Sequence, residues 1–268
     1  MRAVTGILCL PVSLTVLFTS CARPAHHASV SSAPVPKPGS SVQRLGEPGS
    51  AAPDPRVGAI FRGVSQEGGN LHVCTGSVVH STGGDLVLTA AHCLLGEIDA
   101  TFVPGFAGEA TTTDTFTVDE VYFDARWIAS RDPRADYAIA KVSGTGSVER
   151  RAGAALSLGT APPPGSRVGV TGYPVGVGGR PVACEGTTGL TDDGFPSLPC
   201  KGLVDGTSGA PWVSGATVVG VVGGFEGGGC TENISYSAPF DERTAQLLAR
   251  AEAGGPGDSP PADYSDTC

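Results

Sequence analysis

Apolar residues in this chain fall in short runs broken by glycine, proline and small polar residues, not in long periodic stretches. Such runs predict β-strands over 71–79, 86–89, 116–123, 136–142, 168–173, 181–184, 216–223 and 234–237. Thr115 to Asp119 alternates polar and apolar, as a strand with one buried face does. Ala216 to Val222 is continuously small or apolar, which fits a strand buried on both faces. Order is expected to begin near Val57-Gly58-Ala59-Ile60-Phe61. Only residues 241–253 show clear helical character: Asp241 can cap a helix in which Thr244, Leu247, Leu248 and Ala251 follow helical spacing. The pattern predicts an all-β domain followed by one terminal helix.

The ends read differently. Arg2 precedes an apolar stretch, Ile7 to Phe18, too short for a stable membrane span, so residues 1–20 read as an export signal. Residues 21–55 are rich in Pro, Ser and Ala and read as a disordered tether. Pro162-Pro163-Pro164-Gly165 reads as a linker between two halves, about 56–160 and about 165–240. The tail, 254–268, is polar and rich in Gly and Pro, and is expected to be tied down only if Cys268 is bonded.

Composition supports the all-β reading: 40 glycines, 22 prolines and 16% charged residues suit many turns. The net charge is -9, and the three lysines, Lys37, Lys141 and Lys201, form no basic stripe, which disfavours nucleic acid as a partner. Of eight cysteines, Cys9 and Cys21 belong to the leader. The remaining six, Cys74, Cys93, Cys184, Cys200, Cys230 and Cys268, favour three disulfides in an exported chain. A zinc site from Cys74, His92 and Cys93 is disfavoured, since two of the ligands are adjacent and no paired Cys-x-x-Cys is present; no metal or cofactor is expected.

Three segments carry chemistry. Thr89-Ala90-Ala91-His92-Cys93, the aspartate opening Asp136-Tyr137-Ala138-Ile139-Ala140-Lys141-Val142, and Gly206-Thr207-Ser208-Gly209-Ala210-Pro211 together resemble the motifs of a chymotrypsin-like serine protease. A serine hydroxyl is a weak nucleophile until a base takes its proton, and a neutral imidazole oriented by a carboxylate is such a base. The order His92, Asp136, Ser208 matches the chymotrypsin class, not the subtilisin or α/β-hydrolase order. Taken singly, each has a plainer reading: a turn serine, a capping aspartate, a core or ligand histidine. The resemblance covers roughly Val57 to Ala253 and is closest to bacterial secreted trypsin-like and V8-like peptidases, also through His72–Val79 and Ser235-Tyr236-Ser237-Ala238.

The resemblance implies two six-stranded antiparallel β-barrels with a C-terminal helix within a protease domain over 56–253, His92 and Asp136 in the first barrel and Ser208 in the second. It implies an oxyanion hole from the N–H groups of Gly206 and Ser208, and an acyl-enzyme that water hydrolyses. It pairs Cys74 with Cys93; Cys184–Cys200 and Cys230–Cys268 are preferred among the three pairings of the rest. Phe18-Thr19-Ser20-Cys21 resembles a bacterial lipobox with Phe18 in place of the usual leucine, which implies lipidation at Cys21; an ordinary secretory signal is the alternative. The protein is then exported, extracellular or held at the outer face of the membrane by that lipid. Gly202 falls where trypsin-type enzymes carry the acid that binds Lys or Arg, and no histidine marks a glutamyl pocket. Asp205 reads either as a selector of basic or polar groups or as a solvated turn residue. Arg56-Val57-Gly58-Ala59 resembles a zymogen cleavage site, but Thr207 stands where such zymogens need an acid, so no cut is expected to be required. The expected partner is a peptide or protein substrate and the expected state a monomer. The alternatives are a catalytically inactive binding protein of this fold and an esterase using the same triad.

Overall fold

The computed structural model describes residues 49–63, 72–96, 99–175, 179–229 and 233–262, which belong to one unit, Gln43–Cys268. The expected signal, Cys21, Cys230, Cys268 and all but the end of the expected tether lie outside the described residues.

The chain enters through a two-residue strand, β1 (Gly49–Ser50). The first half follows as β2 (Val57–Arg62), β3 (His72–Val79), β4 (Leu86–Thr89), β5 (Ala100–Pro104), β6 (Phe116–Phe123) and β7 (Ala138–Ser143). These close into an antiparallel barrel in the order β2-β3-β4-β7-β6-β5. Val87 faces the barrel interior with Ile60, Phe102 and Phe116. Its neighbours Leu86 and Leu88 face outward into a second cluster with Tyr137, Ile139, Val218 and Leu247. All four residues of β4 are therefore buried, and each aliphatic side chain of this size contributes ~1.5–3 kcal/mol by leaving water.

Two short helices, α1 (Ala125–Ser130) and α2 (Val148–Ala152), were not foreseen from the sequence. At six and five residues they show no readable periodicity, and side-chain caps from Asp124 and Ser147 start them.

The second half comprises β8 (Ser157–Leu158), β9 (Arg167–Gly172), β10 (Val182–Thr187), β11 (Gly189–Leu190), β12 (Pro196–Pro199), β13 (Pro211–Ser214), β14 (Thr217–Val221), β15 (Ile234–Tyr236) and α3 (Glu242–Glu252). Among the described residues these strands pair as two sheets, β1-β10-β9-β13-β14-β8 and β11-β12-β15. β1 and β8 are among the strands outside the predicted set. β1 lies on the edge of β10, with Gly49 opposite Ala183, so residues 49–55 are part of the fold. β8 joins β14 in parallel. The passage between halves thus lies upstream of the proline linker: Leu156 bonds Val78 and His80 of the first half, and Ser157 bonds Ala216 of the second.

Helix α3 matches its predicted span, with a capping box between Asp241 and Thr244. The described part of the tail beyond it is bonded to the first half. Asp258 accepts from the Phe123 N–H at 2.7 Å and donates its own N–H to Val121. Gly255 accepts from the Tyr122 hydroxyl, and Pro261 from the Gly96 N–H. Backbone and carboxylate bonds fasten residues 255–262 to the first barrel.

Candidate active site

Strand register assembles the first part of the site. Thr89, the last residue of β4, pairs with Ala138, the first of β7. His92, three residues beyond the one, and Asp136, two before the other, therefore emerge at the same end of the barrel. His92 sits in a 3₁₀ turn, Ala91–Cys93. Its Nδ1 lies 2.8 Å from Asp136 Oδ2, and its backbone N–H donates to Oδ1 at 3.0 Å. Oδ2 accepts a further bond from the Gly224 N–H at 2.8 Å. Asp136 is fully buried. Burial alone would raise its pKa, but the charge of His92 and the converging donors outweigh it and hold the carboxyl below the usual carboxylate range. The aspartate is thus an anion that fixes both ring and backbone of His92.

Ser208 arrives on the turn before β13. Its carbonyl accepts from the Thr75 N–H at 2.8 Å, and the Gly209 N–H donates to Val222 at 2.7 Å. Gly209 has φ +80°, and a Cβ there would lie 2.1 Å from Thr89 Oγ1 and 2.9 Å from the Ala90 nitrogen. Only glycine lets this turn press against the segment leading to His92. The N–H groups of Thr207, Gly209 and Ala210 all donate within the fold. Among the described residues, those of Gly206 and Ser208 donate to nothing. These two neighbouring donors lie beside a half-buried serine.

The trypsin-like peptidase domain family matches residues 74–222, more than half of the chain. The chain belongs to the trypsin-like peptidases. The same fold occurs in solved structures. A thermostable serine protease, AL20, from an extremophilic microorganism is 24% identical with a TM-score of 0.63, over 75% of this chain and 99% of its own. Protease Anisep from Arthrobacter nicotinovorans is 23% identical with a TM-score of 0.65, over 76% and 99%. Human heparin binding protein is 18% identical with a TM-score of 0.61, over 79% and 99%. No curated protein matches.

In this peptidase domain Cys74 and Cys93 are joined by a disulfide, as are Cys184 and Cys200. The first links the strand bearing Thr75 to the turn bearing His92. Although the sulfurs and an imidazole nitrogen lie within 4.8 Å of one another, the disulfide leaves no thiolate to bind a metal. Gly202 is at φ +76°, and Asp205 is exposed, as a solvated turn aspartate is. The Arg56–Val57 peptide is built into the barrel: the Arg56 carbonyl accepts from Val78, and the Val57 N–H donates to Asp54. The Arg56 guanidinium holds the Asp54 carboxylate at 2.7 Å. Thr207 is buried, and its hydroxyl is used on the Val204 carbonyl at 2.7 Å.

Sequence reading did not single out three contributors to the peptidase site. Thr75 holds the serine loop. Gly224 donates to Asp136. Gly223 leaves room for that carboxylate, since a Cβ there would lie 3.0 Å from Oδ2. The paired glycines after β14 are the one signal that could have pointed to the last two.

Proposed function

We propose that this chain is an exported serine endopeptidase. Its trypsin-like peptidase domain supports hydrolysis of peptide or protein substrates. The observation that carries the finer reading is the pair of open N–H groups of Gly206 and Ser208, beside a serine held against the segment that leads to His92. His92 takes the proton of Ser208 as the hydroxyl oxygen attacks the substrate carbonyl carbon. Negative charge moves onto the carbonyl oxygen and meets the two N–H groups, while Asp136 stabilises the imidazolium. The intermediate collapses by expelling the amine, which receives the proton from His92. Water, activated by the same histidine, then releases the acid from Ser208.

Export is supported by the signal-like residues 1–20 and by two disulfides, which persist in oxidising compartments. No helix among the described residues is long and apolar enough to cross a membrane. A lipid on Cys21 would hold the domain at the outer face of the membrane. A second reading, a binding protein without catalysis, draws on the heparin binding protein that shares this fold. The net charge of -9 disfavours a polyanionic ligand here, and the Asp136–His92 pair is fully formed.

The test is reaction of the purified chain with a fluorophosphonate probe and with a peptide library, beside Ser208→Ala. The wild type is expected to be labelled at Ser208 and to cleave peptides, and the folded alanine variant to do neither. Labelling or turnover that survives in the variant refutes the assignment, and cleavage of esters without peptides selects the esterase.

A further inference from the structure

We infer that Thr75 is a positioning residue that holds the oxyanion loop in its working conformation from the opposite half of the fold. The inference rests on the reading of Gly206 and Ser208 as the oxyanion donors. Thr75 lies in β3 and is wholly buried. Its N–H donates to the Ser208 carbonyl at 2.8 Å. Its hydroxyl donates to the Gly206 carbonyl at 2.9 Å and accepts from the Tyr173 N–H at 2.9 Å. Its carbonyl accepts from the Thr89 hydroxyl at 2.8 Å. Every polar atom of the residue is in use. Three of the four bonds reach the second half, and the fourth ties it to the strand that ends before the histidine turn.

The loop needs such a restraint because of Gly206. Its φ is +90°, and a Cβ there would meet the Tyr173 carbonyl oxygen at 2.6 Å and the Val175 nitrogen at 2.8 Å. Close packing demands glycine, and glycine is the residue whose flanking peptide planes rotate most freely. The planes are fixed one by one. The Asp205 carbonyl accepts from Val175, and the Thr207 carbonyl from Ala210. Thr75 fixes the two planes between and after them, through the Gly206 and Ser208 carbonyls. The Thr207 hydroxyl bonds only within the loop, to Val204, so it supplies no charge for an incoming amino terminus. The brace is present in the uncut chain, which leaves the peptidase assembled without a cleavage step.

The experiment compares Thr75→Val, which replaces the hydroxyl with a methyl, and Thr75→Ser, which keeps it, in the full chain. Losing a direct oxyanion donor costs about 10²–10³ in kcat, so losing its brace should cost about 10- to 100-fold in kcat. KM should change less than about threefold, because ground-state binding does not use these donors. The pH at half-maximal rate should stay unchanged, since the His92–Asp136 pair is untouched, and serine should restore most of the rate. Amide exchange over 205–209 should quicken at least about tenfold in the valine variant, a readout independent of catalysis. Unchanged exchange and kcat in a folded valine variant overturn the inference, as does a loss that serine fails to rescue. An inert wild type whose exchange still responds to valine refutes the peptidase reading and leaves the brace standing. Should the valine chain not fold, Thr75→Ala set against Thr75→Ser makes the same comparison.

Discussion

Replacing Asp136 with asparagine removes one charge and turns one oxygen into an NH₂ group, and the geometry says what each change does. Oδ1 takes one donor, the His92 N–H at 3.0 Å, while Oδ2 takes two, His92 Nδ1 at 2.8 Å and the Gly224 N–H at 2.8 Å. Whichever way the new amide turns, its NH₂ faces a backbone N–H, that of His92 or that of Gly224. One buried donor loses its acceptor, which costs about 1–3 kcal/mol of stability, or about 2–4 °C in melting temperature per kcal/mol for a domain of this size. When the NH₂ takes the Oδ2 position it also donates to Nδ1, which drives the imidazole proton to Nε2, where it cannot accept the Ser208 proton. In both orientations the imidazolium loses its counter-charge. The equivalent change in a serine protease with the same three groups lowers kcat about 10⁴-fold, which corresponds to about 5.5 kcal/mol at 1.36 kcal/mol per decade. We expect a fall of about 10³–10⁴ here, with KM little changed. The assay is steady-state hydrolysis of a library-selected peptide at pH 7–8, beside thermal unfolding of both proteins. A folded asparagine variant with kcat within tenfold of wild type would refute the role of Asp136.

Two further outcomes follow from groups outside the reacting centre. Arg56→Gln in the full chain should leave kcat per titrated site unchanged relative to a chain cut after residue 56, because the Arg56–Val57 peptide is bonded into the barrel and Thr207 offers no counter-charge; activity confined to the cut form would contradict this. Burial would raise the Asp124 pKa, but its bonds from Arg126 and from the Tyr137 hydroxyl outweigh that and bring it down to about 2. With the folded pKa below the unfolded value, its stabilisation is present above about pH 4 and is lost between about pH 4 and 2, roughly 2 kcal/mol in all. Wild type should therefore lose more melting temperature than Asp124→Asn between pH 5 and 2, and parallel curves would exclude the linkage.

The parts of the fold that could be read from the sequence are those in which side chains carry the signal. Leu86–Thr89 and Phe116–Phe123 appear with their predicted ends because burial of their own apolar residues sets the limits. His92, Asp136 and Ser208 could be singled out because the proposed chemistry calls for those residue types in those surroundings. Thr75 could not: it works through bonds to carbonyls of Gly206 and Ser208, more than 130 residues away, and nothing in a Cys-Thr-Gly-Ser strand announces a partner. β1 was hidden for a related reason. Gly49 and Ser50 have no side-chain preference for a strand and are recruited by the open edge of β10. The tail escaped because its Gly/Pro-rich residues bury little, while Asp258 finds its N–H partner 135 residues upstream. Long-range backbone pairing of this kind leaves no local periodicity to detect.

The strap at 255–262 also sets the timing of assembly. Synthesis from the amino terminus delivers His92 and Asp136 early, but the residues that bond β6 and Gly96 come more than 100 positions later. The first half therefore gains these bonds only when the other end of the chain arrives. Until that end arrives, the Phe123 and Gly96 N–H groups lack their Asp258 and Pro261 acceptors. Contacts this distant in sequence carry a high loop-closure cost, so the strap closes late in folding.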